Sequence, residues 1–396
     1  MSRRGGRVLL NVNLQGVGQR PAAWQVQDLA ADAQLRADHW TGIAAVAERG
    51  CLDAVFFADH PNIDDPNPRP LGLAEPFSVA ATILAGTEHL SAVVSASTTY
   101  NDAPDLAGRL LTLDALSGGR IGWNVVTTYS TSSAANFGHL PLPPRAERYA
   151  RAERVVDEVL DLWHASSDRE PVLFQAGGSD QGRDLAARRA DGVFTVELNR
   201  AAAERKYAEL KRAAAAAGRA GRPCITPGLS LVIGSTEEEA QRSFDDMESR
   251  VADGYALRSL GAVLGADATG LDLDAPLPAE LLDAPWDPAT HAASVGYRLT
   301  FLDWIQTRRH LPVRAVLRQF GGYGARIVIG TPERVADEIE EWYETFAADG
   351  INLMLDRYPA GLETFVDEVV PLLQARGLVQ REYTAASLAE AVAPRP

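Results

Sequence analysis

Cysteine is nearly absent: Cys51 and Cys224 are the only two in 396 residues. That is too few for a disulfide scaffold or a cysteine-based zinc centre, and it suits a reducing compartment. Positive charge is also scarce. Lys and Arg number 38 against 53 Asp and Glu, a formal net charge of −15, so the chain has no global field for nucleic-acid phosphates or anionic membrane surfaces. No stretch approaches the roughly 18 uncharged apolar residues of a membrane-spanning helix. The apolar run after the basic first residues spans only Val8 to Leu10 before Asn11, too short for a secretory signal. The seven histidines show no metal spacing, and His-Glu-x-x-His, Cys-x-x-Cys and Gly-x-Ser-x-Gly are all missing, so no metal site or serine elbow is expected. Gly16-x-Gly18 opens no helix, which excludes a dinucleotide fingerprint. With 46% hydrophobic and 23% charged residues, the chain is expected to be a globular, cytoplasmic protein that interacts with neither nucleic acid nor membrane.

What is there is a rhythm. Short apolar runs at 8–13, 54–59, 90–98, 120–126, 172–176, 192–196, 225–233 and 351–355 alternate with longer amphipathic ones. Most of the short runs are continuously apolar, as in Ala54-Val55-Phe56-Phe57-Ala58, which predicts strands buried on both faces of a parallel sheet. Helices are expected at 40–49, 76–86, 103–116, 147–163, 181–190 and 201–217, and Thr331-Pro332-Glu333 reads as an N-cap followed by Pro in the first turn. Eight strands separated by helices predict an α/β fold, a (β/α)8 TIM barrel, as one domain over 1–396. Helical, Pro-rich material at 237–325, containing Pro276, Pro278, Pro285, Pro288 and the Gly321-Gly322-Tyr323-Gly324 turn, reads as an insertion before the last strand.

In such a barrel chemistry sits at the C-terminal ends of the strands, and here those ends are polar. They offer Asn11 and Asn13, Asp59 and His60, Thr98 to Asn101, Asn124 with Thr127 and Thr128, and Gln175 to Ser179. The Val172–Ser179 segment runs from a strand through Gly177-Gly178 into a helix, where free backbone N–H groups suit an anion such as a phosphate. Ser179 is equally an ordinary N-cap, and Asp180 beside it opposes an anion. His60 is a candidate general acid or base, or a plain loop histidine. Trp123 either stacks on a ring or fills the core. Many neutral donors without a metal or nucleophile point to a cofactor that carries the chemistry, and a flavin mononucleotide has the required phosphate and polar ring edge.

These residues also carry a resemblance. The run STTYNDAPDLAGRLLTLDALSGGRIGWNVVTTYSTSSAANFG, with AERGCLDAVFFADH, FQAGGSDQGRDLAARRADGVFT and the block beginning GTPERVADEIEEWYETFAADG, resembles the nitrilotriacetate and dibenzothiophene sulfone monooxygenase family. This is a branch of the bacterial-luciferase-like flavin monooxygenases. The resemblance implies an FMNH2-dependent enzyme supplied by a separate NAD(P)H:flavin reductase, which uses O2 through a peroxyflavin to oxygenate a small organic substrate. It implies a homodimer or homotetramer. By motif, Asp59 lies near the flavin; Thr98 (or Thr99) and Asn124 bond its ring; Tyr149, Gly178 and Ser179 hold its phosphate. Arg145 stands where the family usually has His. Trp24, Phe56 and Trp123 keep the site dry or simply fill the core. Between Trp163 and Pro171 the chain is some tens of residues shorter than the family pattern, a deficit expected beside the active site that leaves either a more open pocket or one closed by the 237–325 insertion or a partner subunit. Two alternatives keep the fold: a deazaflavin-dependent oxidoreductase and a non-catalytic flavin-binding protein.

Overall fold

Strands buried on both faces need a covering layer on each side, and the chain supplies both. The computed structural model describes residues 4–27, 29–30, 32–59, 61, 74–138, 141–287, 294–320 and 325–394. β1 (Leu9–Leu14), β2 (Ala54–Phe57), β3 (Ser91–Ser97) and β5 (Val172–Gln175) are buried along their whole length. With β4 (Ile121–Val126), β6 (Gly192–Thr195), β7 (Cys224–Ile233) and β9 (Gly350–Leu355) they close a parallel ring of eight, β9 returning to β1 and β6 meeting β7. This is the TIM barrel that the alternation predicts.

A ninth strand was not foreseen. β8 (Arg326–Gly330) follows the insertion and pairs with Leu229 to Ile233 of β7, whereas Cys224 to Pro227 of β7 pair with β6. β8 lies just past the 237–325 insertion, between that and the helix opened by Thr331, where the apolar runs predict no strand. The strand has five residues and is half exposed, so it lacks the continuous burial signature. The Gly321-Gly322-Tyr323-Gly324 turn before it, like His60 and Pro288, lies outside the described residues.

The surrounding helices are α1 (Ala37–Arg49), α2 (Pro76–Ala85), α3 (Ala103–Ser117), α4 (Thr131–Asn136), α5 (Arg145–His164), α6 (Asp180–Arg189) and α7 (Arg200–Ala216). The insertion contributes α8 (Glu237–Ser249), α9 (Asp253–Leu264), α10 (Ala279–Asp283), α11 (Val295–Ile305) and α12 (Val313–Phe320). α13 (Pro332–Glu344), α14 (Ala360–Thr364), α15 (Val370–Ala375) and α16 (Leu388–Ala391) follow. Caps are chemically specific: Ser179, Asn199, Thr236, Ser294 and Thr331 each accept a backbone N–H of the turn they open. Phe346 lies beyond the end of α13 with φ +58° and is 52% exposed. A π-helical turn at Phe365–Val369 joins α14 to α15 just before Pro371. No helix among the described residues is long and apolar enough to cross a membrane.

Two cores divide the apolar side chains. One lies between sheet and helices, around Leu10, Val55, Val94, Trp123, Trp163, Trp342 and Leu353. The insertion has its own, built from Leu257, Leu260, Phe301, Trp304, Val316 and Phe320. Inside the ring, Leu9, Ala54, Phe56, Val93, Val172 and Phe174 meet Leu388, Ala391 and Val392 of the C-terminal segment. The Ala-rich C-terminal segment is therefore the floor of the barrel. A Cβ on Gly122 would lie 2.7 Å from Leu388 Cδ2, so a larger residue there would have to push the end of that leucine aside.

The short link from Trp163 to Pro171 sits at this floor, closed by a bond from Trp163 Nε1 to the Arg169 carbonyl (2.7 Å) and an ion pair from Arg169 to Asp114 (2.8 Å). Its expected place beside the active site is corrected: helix-to-strand links lie at the end of the barrel opposite the strand-to-helix loops. Leu388→Ala should open a cavity in the floor and destabilise the protein by about 2–5 kcal/mol. The check is a lowered urea midpoint at unchanged m-value.

Candidate active site

At the other end of the ring, the inward side chains change from apolar to polar and a cavity of about 1050 Å³ opens. That is at the upper end of ordinary ligand sites, roughly 300–1,000 Å³. Its lower wall is made by strand ends: Asn13, Phe56, Asp59, Ser95, Asn124, Ala176, Phe194 and Met354. Tyr129 to Ser132, at and before the start of α4, form one side. Its upper wall is the insertion, including Glu248, Tyr255, Leu260, Val263, Tyr297, Arg314 and Phe320. The expectation that the 237–325 segment covers the site agrees with this lining.

The strand-end amides are held in place by neighbours. Asn13 accepts through both its carbonyl (2.9 Å) and its Oδ1 (3.2 Å) from Gln19 Nε2, and Tyr358 donates its hydroxyl to the same carbonyl (2.6 Å). Asn124 Nδ2 donates to Ser95 Oγ (2.7 Å), which leaves Asn124 Oδ1 buried with no partner. Below this layer Asn11 and Asn352, paired in register, bury both amides without a partner. Buried amides left open in this way call for a ligand or water. Asp59 lies half-buried on the wall; burial, and to a lesser degree the negative charge of Glu75, push its carboxyl up to about 6.

At the end of β5 the chain turns sharply. Gln175 Oε1 accepts from Gly177 N (2.7 Å), and a Cβ on Gly177 would lie 2.4 Å from Gln175 Nε2 and 3.0 Å from the Tyr149 hydroxyl. Ser179 caps α6 through Gly182 N (3.2 Å), and its Oγ lies 3.0 Å from Tyr149 OH. Gly178 meets Gly296 in the first turn of α11, and a Cβ on either would come within 3.1 Å of the other's Cα. Tyr149, Gly178 and Ser179 are therefore brought together at a helix start, while Arg145 is half-buried one turn before Tyr149 on α5.

Other candidates are placed elsewhere. Thr98 is fully buried outside the cavity wall, its hydroxyl donating to the Val126 carbonyl (3.0 Å). Thr99 Oγ1 is buried without a partner. Trp123 belongs to the outer core, where its Nε1 donates to the Ala96 carbonyl (3.2 Å), because its side chain points to the helical face of β4, opposite that of Asn124. Phe56 does line the cavity.

The sequence reading missed the charged seam joining barrel and insertion. Arg20 is fully buried, 3.5 Å from Glu248 of α8 and 4.8 Å from the Phe244 ring centroid, with Asp356 also acting on it. Burial lowers the Arg20 pKa and raises that of Glu248. Arg318 pairs with Asp245, and Arg314 with Asp274 (3.2 Å). Nothing local in the sequence links residue 20 to 248; only the isolated arginine in an otherwise uncharged loop marks it. Glu248→Ala leaves a buried guanidinium short of its partner and should cost about 3–5 kcal/mol. Chemical denaturation of the two proteins at neutral pH measures the loss.

A parallel (β/α)8 barrel with a large polar-floored cavity at its strand C-termini defines an enzyme-type site in which a bound organic cofactor or substrate is held by neutral amides and a helix start. Residues 22–349 match the model of the luciferase-like monooxygenase family. The chain is 33% identical to N-acetyl-S-(2-succino)cysteine monooxygenase of Bacillus subtilis (strain 168), over 98% of this chain and 97% of that protein. It is 30% identical to nitrilotriacetate monooxygenase component A of Aminobacter aminovorans, over 88% of each. The solved structure of DmoA from Hyphomicrobium sulfonivorans superposes with a TM-score of 0.82 at 27% identity, covering 98% of this chain and 92% of that one. The chain belongs to the luciferase-like monooxygenase family and is a flavin-dependent monooxygenase.

Proposed function

We propose that this protein is the oxygenase component of a two-component system, taking reduced FMN from a separate NAD(P)H:flavin reductase and using O2 to oxygenate a small organic molecule. The observation that carries the reading is the Tyr149–Ser179 hydroxyl pair at the head of α6, beside a glycine turn that leaves no room for a side chain. Two hydroxyls, a glycine backbone and a helix N-terminus are what a phosphate monoester needs. The unpartnered Asn124 Oδ1 on the cavity floor is a waiting acceptor for a ring N–H. The residues present fit the cofactor at both ends.

Bound there, reduced FMN supplies two electrons to O2; one oxygen atom passes to the substrate and the other leaves as water. In this reading Gly178, Ser179 and Tyr149 hold the phosphate, Arg145 adds positive charge on the same side, and Asn124 and Asp59 meet the ring. Thr99, whose hydroxyl is open, is a better ring partner than Thr98. Phe56, Leu260, Val263 and Phe320 give the cavity apolar surface, which limits water and so limits the competing yield of hydrogen peroxide. His60 remains a candidate acid or base. The relatives named for nitrilotriacetate and N-acetyl-S-(2-succino)cysteine support a small organic substrate.

The purified protein should bind reduced FMN and consume substrate-coupled oxygen only with a flavin reductase and NAD(P)H present. No binding, or no turnover with any reductase, removes the proposal. Ser179→Ala should weaken reduced-FMN affinity about tenfold, the loss of one charge-assisted hydrogen bond, with the fold retained by circular dichroism. Asn124→Ala should raise the fraction of oxygen released as peroxide, measured by peroxide assay against oxygen uptake.

A further inference from the structure

The charged groups facing the cavity are not equally compensated. Asp245 has Arg318, Glu248 has Arg20, and Arg314 has Asp274. Asp253 stands exposed at the start of α9. Asp59 differs from all of these. It is half-buried at the end of β2, and among the described residues no cation acts on it. The one charged group that does is Glu75, another carboxylate, fixed at the N-cap of α2 by bonds from Phe77 N (3.1 Å) and Ser78 N (2.8 Å). The next residue, His60, lies outside the described residues.

The ring order gives this isolated carboxylate a ligand. Strands run β5-β4-β3-β2 around the mouth. In the flavin reading, a flavin whose phosphate is held by Gly178 and Ser179, just after β5, would reach past Asn124 on β4 toward Asp59, just after β2. The reduced flavin ring is anionic at neutral pH. An anion arriving beside a carboxylate that has no countercharge among the described residues, in a partly desolvated wall, raises the energy of the charged carboxylate further.

We infer that Asp59 takes up a proton from solvent when reduced FMN binds, so that cofactor capture is coupled to pH through this side chain. The inference rests on the flavin reading above. Protonation turns an acceptor-only carboxylate into a hydrogen-bond donor toward the ring edge. The free carboxyl already sits at about 6, through burial and Glu75. Below that pH it is neutral before the cofactor arrives, and this side chain adds no pH dependence to the affinity. Above it each binding event takes up one proton, so affinity falls by up to about tenfold per pH unit until the pH passes the bound-state value.

The test is anaerobic calorimetric titration of the full-length protein with reduced FMN, in two buffers of different ionisation enthalpy, at a pH roughly one to two units above the free value. Wild type should take up close to one proton more than Asp59→Asn, a difference that cancels the titration of the cofactor itself. The affinity of wild type should fall across this range and that of Asp59→Asn should follow the cofactor's own profile. Glu75→Gln keeps one of the two capping oxygens and removes the charge, so the fall should begin at lower pH; this variant carries the test if Asp59→Asn does not fold. Equal proton uptake by wild type and Asp59→Asn, or an onset unmoved in Glu75→Gln, overturns the inference while leaving the flavin reading intact. Failure of wild type to bind reduced FMN overturns the flavin reading itself.

Discussion

The architecture turns on how β7 divides its hydrogen bonds. Its first residues, Cys224 to Pro227, pair with β6 and close the ring; its last, Leu229 to Ile233, pair on β8. Along Gly228 to Leu231 its other edge is taken by β9. A strand that ended at Pro227 would keep β6 alone; it would lose β9, so that the ring stayed open, and would lose β8 as well. Because it runs on, β8 is drawn to the ring and the helices between them are carried across the mouth. Arg326 N bonding to the Glu197 carbonyl (3.0 Å) continues β6 onto the same edge. The cavity is thus enclosed by one continuous hydrogen-bonded sheet on one side and a separately cored helical layer on the other.

Within that enclosure the inward-facing residues are graded. The floor is Leu9, Val172, Leu388 and Val392, the middle holds the Asn11–Asn352 pair, and the mouth presents Asn13, Asn124 and Asp59. A net charge of −15 would repel a phosphate-bearing ligand at long range, but salt screens such a field within about 10 Å. Local geometry at the head of α6 decides binding instead. The positive charge the chain does invest is kept in pairs: Arg20 under the insertion, Arg314 and Arg318 on α12.

Much of this was legible in the sequence, for identifiable reasons. A run such as Ala54-Val55-Phe56-Phe57 can only be a strand covered on both sides, so the ring of eight could be read directly. Polar residues closing successive apolar runs are unusual enough to mark Asp59, Asn124 and Ser179 as one end of the barrel. Three kinds of feature escaped. β8 is short and half exposed, so its pattern is weak. α16 is rich in alanine, and nothing in Leu388-Ala389-Glu390-Ala391 announces that it enters a barrel. Arg20 and Glu248 meet only because the insertion folds back, a contact with no local signature. The short Trp163–Pro171 link was seen but assigned to the wrong face, since a deficit in sequence does not reveal which end of the barrel it lies on.

The floor has a consequence for how the molecule comes into being. Leu9 pairs with Gly350, and residues 388–392 fill the interior below them. The first contact is unavailable to a nascent chain until residue 350 has left the ribosome, and the second until residue 388 has. The ring is therefore an open, curved sheet with an exposed apolar inner face for most of its synthesis, and its closure is governed by contacts of the largest sequence separation, the slow class in folding kinetics. Such a sheet presents free strand edges at β1 until β9 arrives. Until residues 350–355 have emerged, the growing chain therefore carries an apolar sheet face and a free edge of the kind that favours aggregation.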